Sequence, residues 1–364
     1  MRLFTPGPVP VEKHLLAIGE RQPPYNRTEE FSQFTYELLG GLNYVFQTSG
    51  SVVLLTGSGT AAMEASVLCF LGAADNVLII NGGTFGQRWC DLCDVHTIAY
   101  DEYAVPAGED IDLVQLEGLL CDHRYTALLV NAHETSSGHL YDIKAIGQIT
   151  RAHGVFFMVD AISTICADSF FMDDWHVDVA ILSSQKALAL PPGLSFVAMN
   201  PKAKARLTGR KPVSMYFDLK AYLSNQRRGQ LPFTPAISLM LQLHQRLLDI
   251  RSQTLSALVR THRKRAESFR LSIEGLPLSL FPARSSNAMT TLVCHGPNAF
   301  ETVEALRARF NIVVAPTNEK LGLNAFRISH MGAQEDGDIT SLIEALKCIL
   351  ASKQPPNILE RIES

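Results

Sequence analysis

The 364-residue sequence predicts an α/β protein, with a mostly parallel sheet in a large domain and a smaller α+β domain toward the C-terminal end. Three observations carry that prediction. Short apolar runs alternate with helical patterns between residues 50 and 200, the pattern changes after Pro235, and the length suits about two domains. The strand candidates are residues 52–55, 76–80, 127–131, 155–160, 179–183 and 194–199, brief apolar runs of the kind that a sheet covered by helices on both faces buries. Two helices stand out between them. Residues 61–71 are apolar and rich in Ala, while residues 142–153 begin at Asp142, a good N-cap, repeat Ile143, Ile146 and Ile149, and stop at Gly154.

After Pro235 a helical pattern runs through Leu239, Leu243 and Leu247 to about Leu271. Beyond it, residues 289–293, 311–314 and 324–329 read as strands and 300–310 and 339–350 as helices, with 324–329 reaching back toward the first domain.

Composition narrows the function. A net charge of −4 offers no basic field for a phosphate backbone, and the group Arg260, Arg263, Lys264 and Arg265 reads as a solvated helix face. No apolar stretch has signal-peptide or membrane-span length, so a cytoplasmic protein without membrane or nucleic-acid partners is expected. The cysteines lack metal-ligand spacing. Cys90 and Cys93 form a lone Cys-x-x-Cys with no second pair to complete a metal site, so reduced thiols and no metal site are expected.

Three segments carry chemistry. In Thr56-Gly-Ser-Gly-Thr-Ala-Ala-Met-Glu64 a strand ends in small residues and a helix begins, which exposes backbone N–H groups at a positive helix end. That suits a phosphate, with the Ser58 and Thr60 hydroxyls adding hydrogen bonds, although such a turn also serves as a plain connection. The segment lacks the spacing of a dinucleotide fingerprint or a Walker loop. In Met158-Val-Asp160-Ala-Ile-Ser163 an acid sits at the carboxyl end of a buried strand, where it either meets a ligand or caps the next turn. In Ile181-Leu-Ser-Ser-Gln-Lys186-Ala-Leu-Ala-Leu-Pro-Pro-Gly193 a lysine follows directly on a buried strand. Desolvation there favours the neutral amine, which attacks aldehydes; the alternative is a lysine that snorkels to solvent. A phosphate cradle, a carboxylate and a desolvated lysine at one sheet edge are together what pyridoxal 5'-phosphate needs.

With those residues in place, the chain resembles the class V aminotransferases of pyridoxal-phosphate fold type I, in particular the alanine–glyoxylate, serine–glyoxylate and 2-aminoethylphosphonate–pyruvate members. Thr5-Pro-Gly-Pro8 is similar to their opening motif, Gly57-Ser-Gly-Thr-Ala-Ala-Met-Glu-Ala65 to their phosphate loop, and His133-Glu-Thr-Ser-Ser-Gly138 to their central motif. Ser184-Gln-Lys-Ala-Leu-Ala-Leu-Pro-Pro-Gly193 resembles the lysine segment of the glyoxylate-using branch. The resemblance implies a seven-stranded, mostly parallel sheet in a large cofactor-binding domain, residues 18–250, and a small α+β domain, 251–364. An N-terminal segment, 1–17, would pack near the active site and the small domain.

The same resemblance assigns roles. Lys186 and Asp160 are the catalytic pair, Lys186 carrying the cofactor and Asp160 pairing with its ring nitrogen. Ser58, Gly59 and Thr60 would hold the phosphate, Ile162 would pack beneath the ring, and Phe85, in Asn81-Gly-Gly-Thr-Phe-Gly86, would stack over it. Thr135 and Gln185 would complete the cofactor's surroundings. Thr234, in Leu231-Pro-Phe-Thr-Pro235, is similar to a threonine that reaches the phosphate of the partner subunit, which implies a homodimer with sites at the interface. Leu231 departs from the tyrosine usual in the glyoxylate branch. Arg327, in Phe326-Arg-Ile-Ser-His330, matches the clamp for a substrate carboxylate; Gly7 is expected near the substrate, as is Arg27, unless the latter is a solvated loop arginine. The implied reaction is ping-pong transamination from alanine or serine to glyoxylate or pyruvate. Transamination between 2-aminoethylphosphonate and pyruvate is the alternative, and a non-catalytic cofactor-binding protein a more remote one.

Overall fold

The structure, a computed structural model, describes residues 1–121, 124–317 and 322–351. A short strand β1 (Arg2–Leu3) precedes helices α1 (Lys13–Ile18) and α2 (Glu29–Phe46). Thr28 starts α2 by accepting a hydrogen bond from Phe31 N, and Glu29 and Glu30 follow in the turn where acids complement the helix dipole. The alternating region then runs β2 (Ser51–Thr56), α3 (Gly59–Phe70), β3 (Asn76–Asn81), α4 (Thr84–Val95), β4 (Ala99–Ala104), α5 (Leu113–Cys121) and β5 (Ala127–Asn131). A two-stranded ribbon, β6 (His133–Glu134) and β7 (His139–Leu140), leads to α6 (Ile143–Ala152), β8 (Phe156–Asp160), β9 (Val179–Ser183) and β10 (Leu194–Met199).

Seven of these strands form one sheet in the order β2-β10-β9-β8-β5-β3-β4. All its pairings are parallel except those of β10, which runs antiparallel to β2 and β9. The six strands read from the sequence are all here. β4 was not among them, because this edge strand, Ala99-Tyr-Asp-Glu-Tyr-Ala104, is largely exposed and its charges discourage pairing with another chain. Register does the positioning: Asn131 lies opposite Asp160, and Asp160 opposite Ile181, so side chains from three neighbouring strands meet at their carboxyl ends.

Helices α7 (Pro201–Thr208), α8 (Leu219–Gln226), α9 (Ile237–Gln253) and α10 (Leu255–Ser272) come next. The pattern after Pro235 is thus two helices rather than one. Thr254 breaks it, with a φ of 72° and a hydroxyl that caps α10 through Ala257 N; no Gly or Pro marks the spot. Arg260, Arg263 and Lys264 are exposed on α10, but Arg265 departs from the solvated face, donating to Gly332 O at 3.1 Å and Gln334 O at 2.7 Å.

The C-terminal part contains β11 (Leu278–Leu280), β12 (Met289–Cys294), α11 (Ala299–Phe310), β13 (Ile312–Val313), β14 (Ala315–Pro316), β15 (Ala325–Ser329) and α12 (Asp336–Ala351). Asn311 is not a strand residue as expected. It ends α11 in the left-handed region, φ 56°, a position that asparagine tolerates. β13 pairs in parallel with β1, and Phe4 is buried in the apolar cluster of the C-terminal sheet, while a separate cluster fills the space around the seven-stranded sheet. Cys90 and Cys93 are free and buried on α4, where burial pushes each thiol up to about 12. Among the described residues no helix is long and apolar enough to cross a membrane, and no cluster of His, Cys, Asp or Glu is placed to hold a metal ion.

Candidate active site

A cavity opens at the carboxyl ends of β5, β8 and β9. Ser58, Gly59, Thr60, Phe85, Thr135, Asp160, Ile162, Gln185 and Lys186, all singled out from the sequence, line it together. Larger hollows exist, including one of about 810 Å³ lined by Glu64, His96 and Arg210, but it is the smaller cavity that brings a desolvated amine and a buried carboxylate together.

Lys186 sits in the turn after β9, and its Nζ donates to Pro6 O at 2.7 Å. The N-terminal segment therefore closes over the amine. Gly7 makes this possible: its φ is +140°, and a Cβ there would lie 2.7 Å from Lys186 Nζ. Burial lowers the Lys186 pKa to about 8, with Asp160 opposing the shift and Arg327 and Arg88 adding to it.

Asp160 ends β8. Its Oδ2 accepts from Asn131 Nδ2 at 2.9 Å and its Oδ1 from Ile162 N at 2.9 Å, so it caps the following turn and faces the cavity at once. Burial raises its pKa to about 6, mainly opposed by the Ile162 N–H. Such a carboxylate gains from a cationic N–H partner.

Ser58 is the N-cap of α3 but makes no side-chain cap, so the first turn keeps N–H groups without intrahelical partners. A Cβ at Gly59 would lie 2.4 Å from Ile162 Cδ1, so any larger residue there would push the Ile162 side chain aside. The opposite wall is α4. Glu134 fixes its first turn, accepting from Phe85 N at 3.1 Å and Gly86 N at 3.0 Å, while Ser136 N donates to the same carboxylate at 3.1 Å. Phe85 is thereby held over the cavity by an acid at a helix N-terminus, although burial still raises the Glu134 pKa.

Arg327 lies on β15, opposite Thr291 and Ala315 in register. Its Nη1 donates to Thr135 O at 3.0 Å, and its Nε and Nη2 donate to Pro316 O at 3.2 and 2.7 Å. Three carbonyl contacts fix the guanidinium plane. Thr135 joins the two parts, since its hydroxyl pairs with Ser163 Oγ at 2.9 Å inside the cavity.

Two expected residues lie elsewhere. Arg27 donates to Gln230 Oε1 at 3.1 Å and Leu231 O at 2.9 Å, and with Gln230 and Pro232 it lines a separate surface pocket. Thr234 is exposed and lines no part of its own chain's cavity. The sequence reading missed Arg88, His133, Ser163 and Ser183, which also line the site. Arg88 was legible in retrospect, three residues after Phe85 on the same helix and hence on the same face. His133 gave no signal beyond its place in the central motif.

The model of the aminotransferase class-V family matches residues 25–317. The chain belongs to that family. Among curated proteins, a chain named soluble hydrogenase, small subunit, from Synechococcus sp. is 34% identical over 96% of this chain and 92% of its own. The serine–glyoxylate aminotransferase of Arabidopsis thaliana is 28% identical over 98% and 92%. Among solved structures, an alanine–glyoxylate aminotransferase from Nostoc sp. superposes with a TM-score of 0.91 at 28% identity, covering 96% of this chain and 94% of that one.

Class-V aminotransferases use pyridoxal phosphate, and the polar atoms of this cavity fit it. Gln185 Oε1, Ser183 Oγ and both ring nitrogens of His133, all from residues that line the cavity, are buried without partners among the described residues. Buried polar atoms in such numbers call for a polar ligand.

Proposed function

We propose that this class-V aminotransferase moves an amino group from a small amino acid, alanine or serine, to a 2-oxo acid, glyoxylate or pyruvate, in two ping-pong half-reactions. The observation that carries the reading is the desolvated Lys186 amine, which shares one cavity with the Asp160 carboxylate and feels the charge of Arg327, itself bonded to the cavity-lining Thr135.

In this reading α3 would hold the phosphate of pyridoxal phosphate with Ser58, Gly59 and Thr60, Lys186 would be the amine offered to its aldehyde, and Phe85 and Ile162 would supply apolar contacts for its ring. When bound, the group supplies an electron sink for the carbon that loses its proton. Lys186, half neutral near pH 8, takes that proton and returns it at the next atom. Asp160 holds a proton on the ring nitrogen, and Arg327 fixes the substrate carboxylate through two parallel N–H donors. The Pro6–Gly7 turn over Lys186 bounds the space left for a substrate and so favours a small side chain.

The names of the glyoxylate-using relatives support the choice of acceptor. The reading includes a homodimer: Thr234, which the resemblance assigns to the partner's phosphate, is exposed and outside its own chain's cavity, a position that leaves it open to a neighbouring chain. It also places the enzyme in the cytoplasm. The test is a half-reaction panel: alanine or serine should bleach the visible band of the loaded enzyme, and glyoxylate or pyruvate should restore it. A band that answers only 2-aminoethylphosphonate, or no amine at all, overturns the assignment.

A further inference from the structure

Arg88 is the cation that the cavity uses for nothing else. Its Nη1 donates to Thr60 Oγ1 at 3.2 Å, and its guanidinium carbon lies 4.8 Å from the centroid of the Phe85 ring. Among the described residues it makes no ion pair, in contrast to Arg206 and Arg210, which both share Asp75. It is half-buried and lines the same cavity as Ser58, Gly59 and Thr60, reaching Thr60 from the facing helix. A half-buried guanidinium with no carboxylate partner favours an anion beside it.

The other groups at this end of the cavity are neutral. Ser58, Gly59 and Thr60 offer hydroxyls and backbone N–H groups, and a helix N-terminus contributes about half a positive charge. A phosphate dianion carries close to two negative charges.

We infer that Arg88 is a fixed counter-ion for the cofactor phosphate, held in place by the Phe85 face and the Thr60 hydroxyl. The inference rests on the reading that α3 takes the phosphate, and it adds a charged residue from a second helix. The site should then recognise a phosphate monoester or free inorganic phosphate by charge, independently of the aldehyde chemistry at Lys186. Arg88 also depresses the Lys186 pKa, so occupation by a dianion would offset that influence.

The test compares pyridoxal phosphate with pyridoxal, which lacks the phosphate, on apoenzymes of wild type, Arg88→Gln and Arg88→Lys. A charge-assisted contact of ordinary strength predicts that Arg88→Gln weakens pyridoxal phosphate by about 10- to 100-fold while pyridoxal changes less than about threefold. Arg88→Lys should recover part of the loss. Inorganic phosphate should raise the melting temperature of wild-type apoenzyme and protect the Arg88→Gln protein much less. Equal losses for both aldehydes would make Arg88 a packing residue between α3 and α4, and equal affinities would remove it from the site; either overturns the inference. If wild type itself bound pyridoxal phosphate no better than pyridoxal, the phosphate reading of α3 would fall instead.

Discussion

The lysine end of the cavity and the arginine end are built from opposite materials. Lys186 faces a carboxylate, Asp160, within a buried sheet edge, and its pKa has dropped to about 8. Arg327 is held by neutral carbonyls, those of Thr135 and Pro316, and although burial lowers its pKa too, a guanidinium keeps its proton at any working pH. One cation is poised to lose its charge and the other to keep it. The difference separates chemistry from recognition: a group that moves protons needs two accessible states, while a clamp needs one state and a fixed plane.

The largest test of that separation is Lys186→Ala. Activity should fall by at least about 10⁴-fold, the upper range for a lost acid–base group, with carboxylate binding retained. Borohydride fixation followed by peptide mapping checks it; a label that moves to another lysine without loss of rate would dissolve the contrast.

Asp160→Asn comes next, with a loss of about 10²- to 10³-fold in kcat, as when one preorganised electrostatic partner is removed. Cofactor affinity should change little. The same variant sharpens the argument in the apoenzyme. The folded pKa of Asp160, raised by burial to about 6, lies above the ordinary value of 3.8, so the native state holds this proton more tightly. The stabilisation is full below the unfolded value and is lost as pH rises through about 6. At pH 8 the variant should therefore melt higher than wild type, by roughly 3 kcal/mol at most, and at pH 4 the gain should vanish. Asn131 Oδ1 has no partner, so an amide flip can receive the new N–H group. Thermal melts at the two pH values decide the matter.

Arg327→Lys should lower kcat/KM for carboxylate substrates by at least about tenfold, through loss of a parallel hydrogen-bonded pair. The slow reaction of a simple amine without a carboxylate is the control. If the amine suffers as much as alanine, the arginine end is doing structural work on Thr135 and not recognition.

The smallest effect concerns pH. Trapping of Lys186 in the apoenzyme by a small aldehyde should pass its midpoint near pH 8 and level off about tenfold above its value at pH 7, whereas an ordinary lysine keeps rising toward 10.4. A midpoint near 10 would place the amine in water.

The comparison also shows where the sequence was legible. The segments ending at Thr56, Asp160 and Ser183 could be read because a strand covered on both faces must be continuously apolar, and a polar residue just past its end has to face a turn or a ligand. β4 escaped because an exposed edge strand has no such constraint. The break at Thr254 escaped because it comes from one residue's backbone conformation, which its identity does not dictate.

Local pattern thus determined the alternating α/β order, the buried strands and the three segments at their ends, since each depends on neighbours a few residues away. Only the tertiary structure decided that Pro6 and Gly7 lie over Lys186, that Glu134 pins Phe85, that Arg88 meets Thr60 and that Arg327 grips Thr135. The last of those contacts spans 192 residues of chain. No periodicity encodes such a meeting, because it follows from how the N-terminal segment and the C-terminal sheet pack against the strand ends, where burial sets the charge that each side chain can keep.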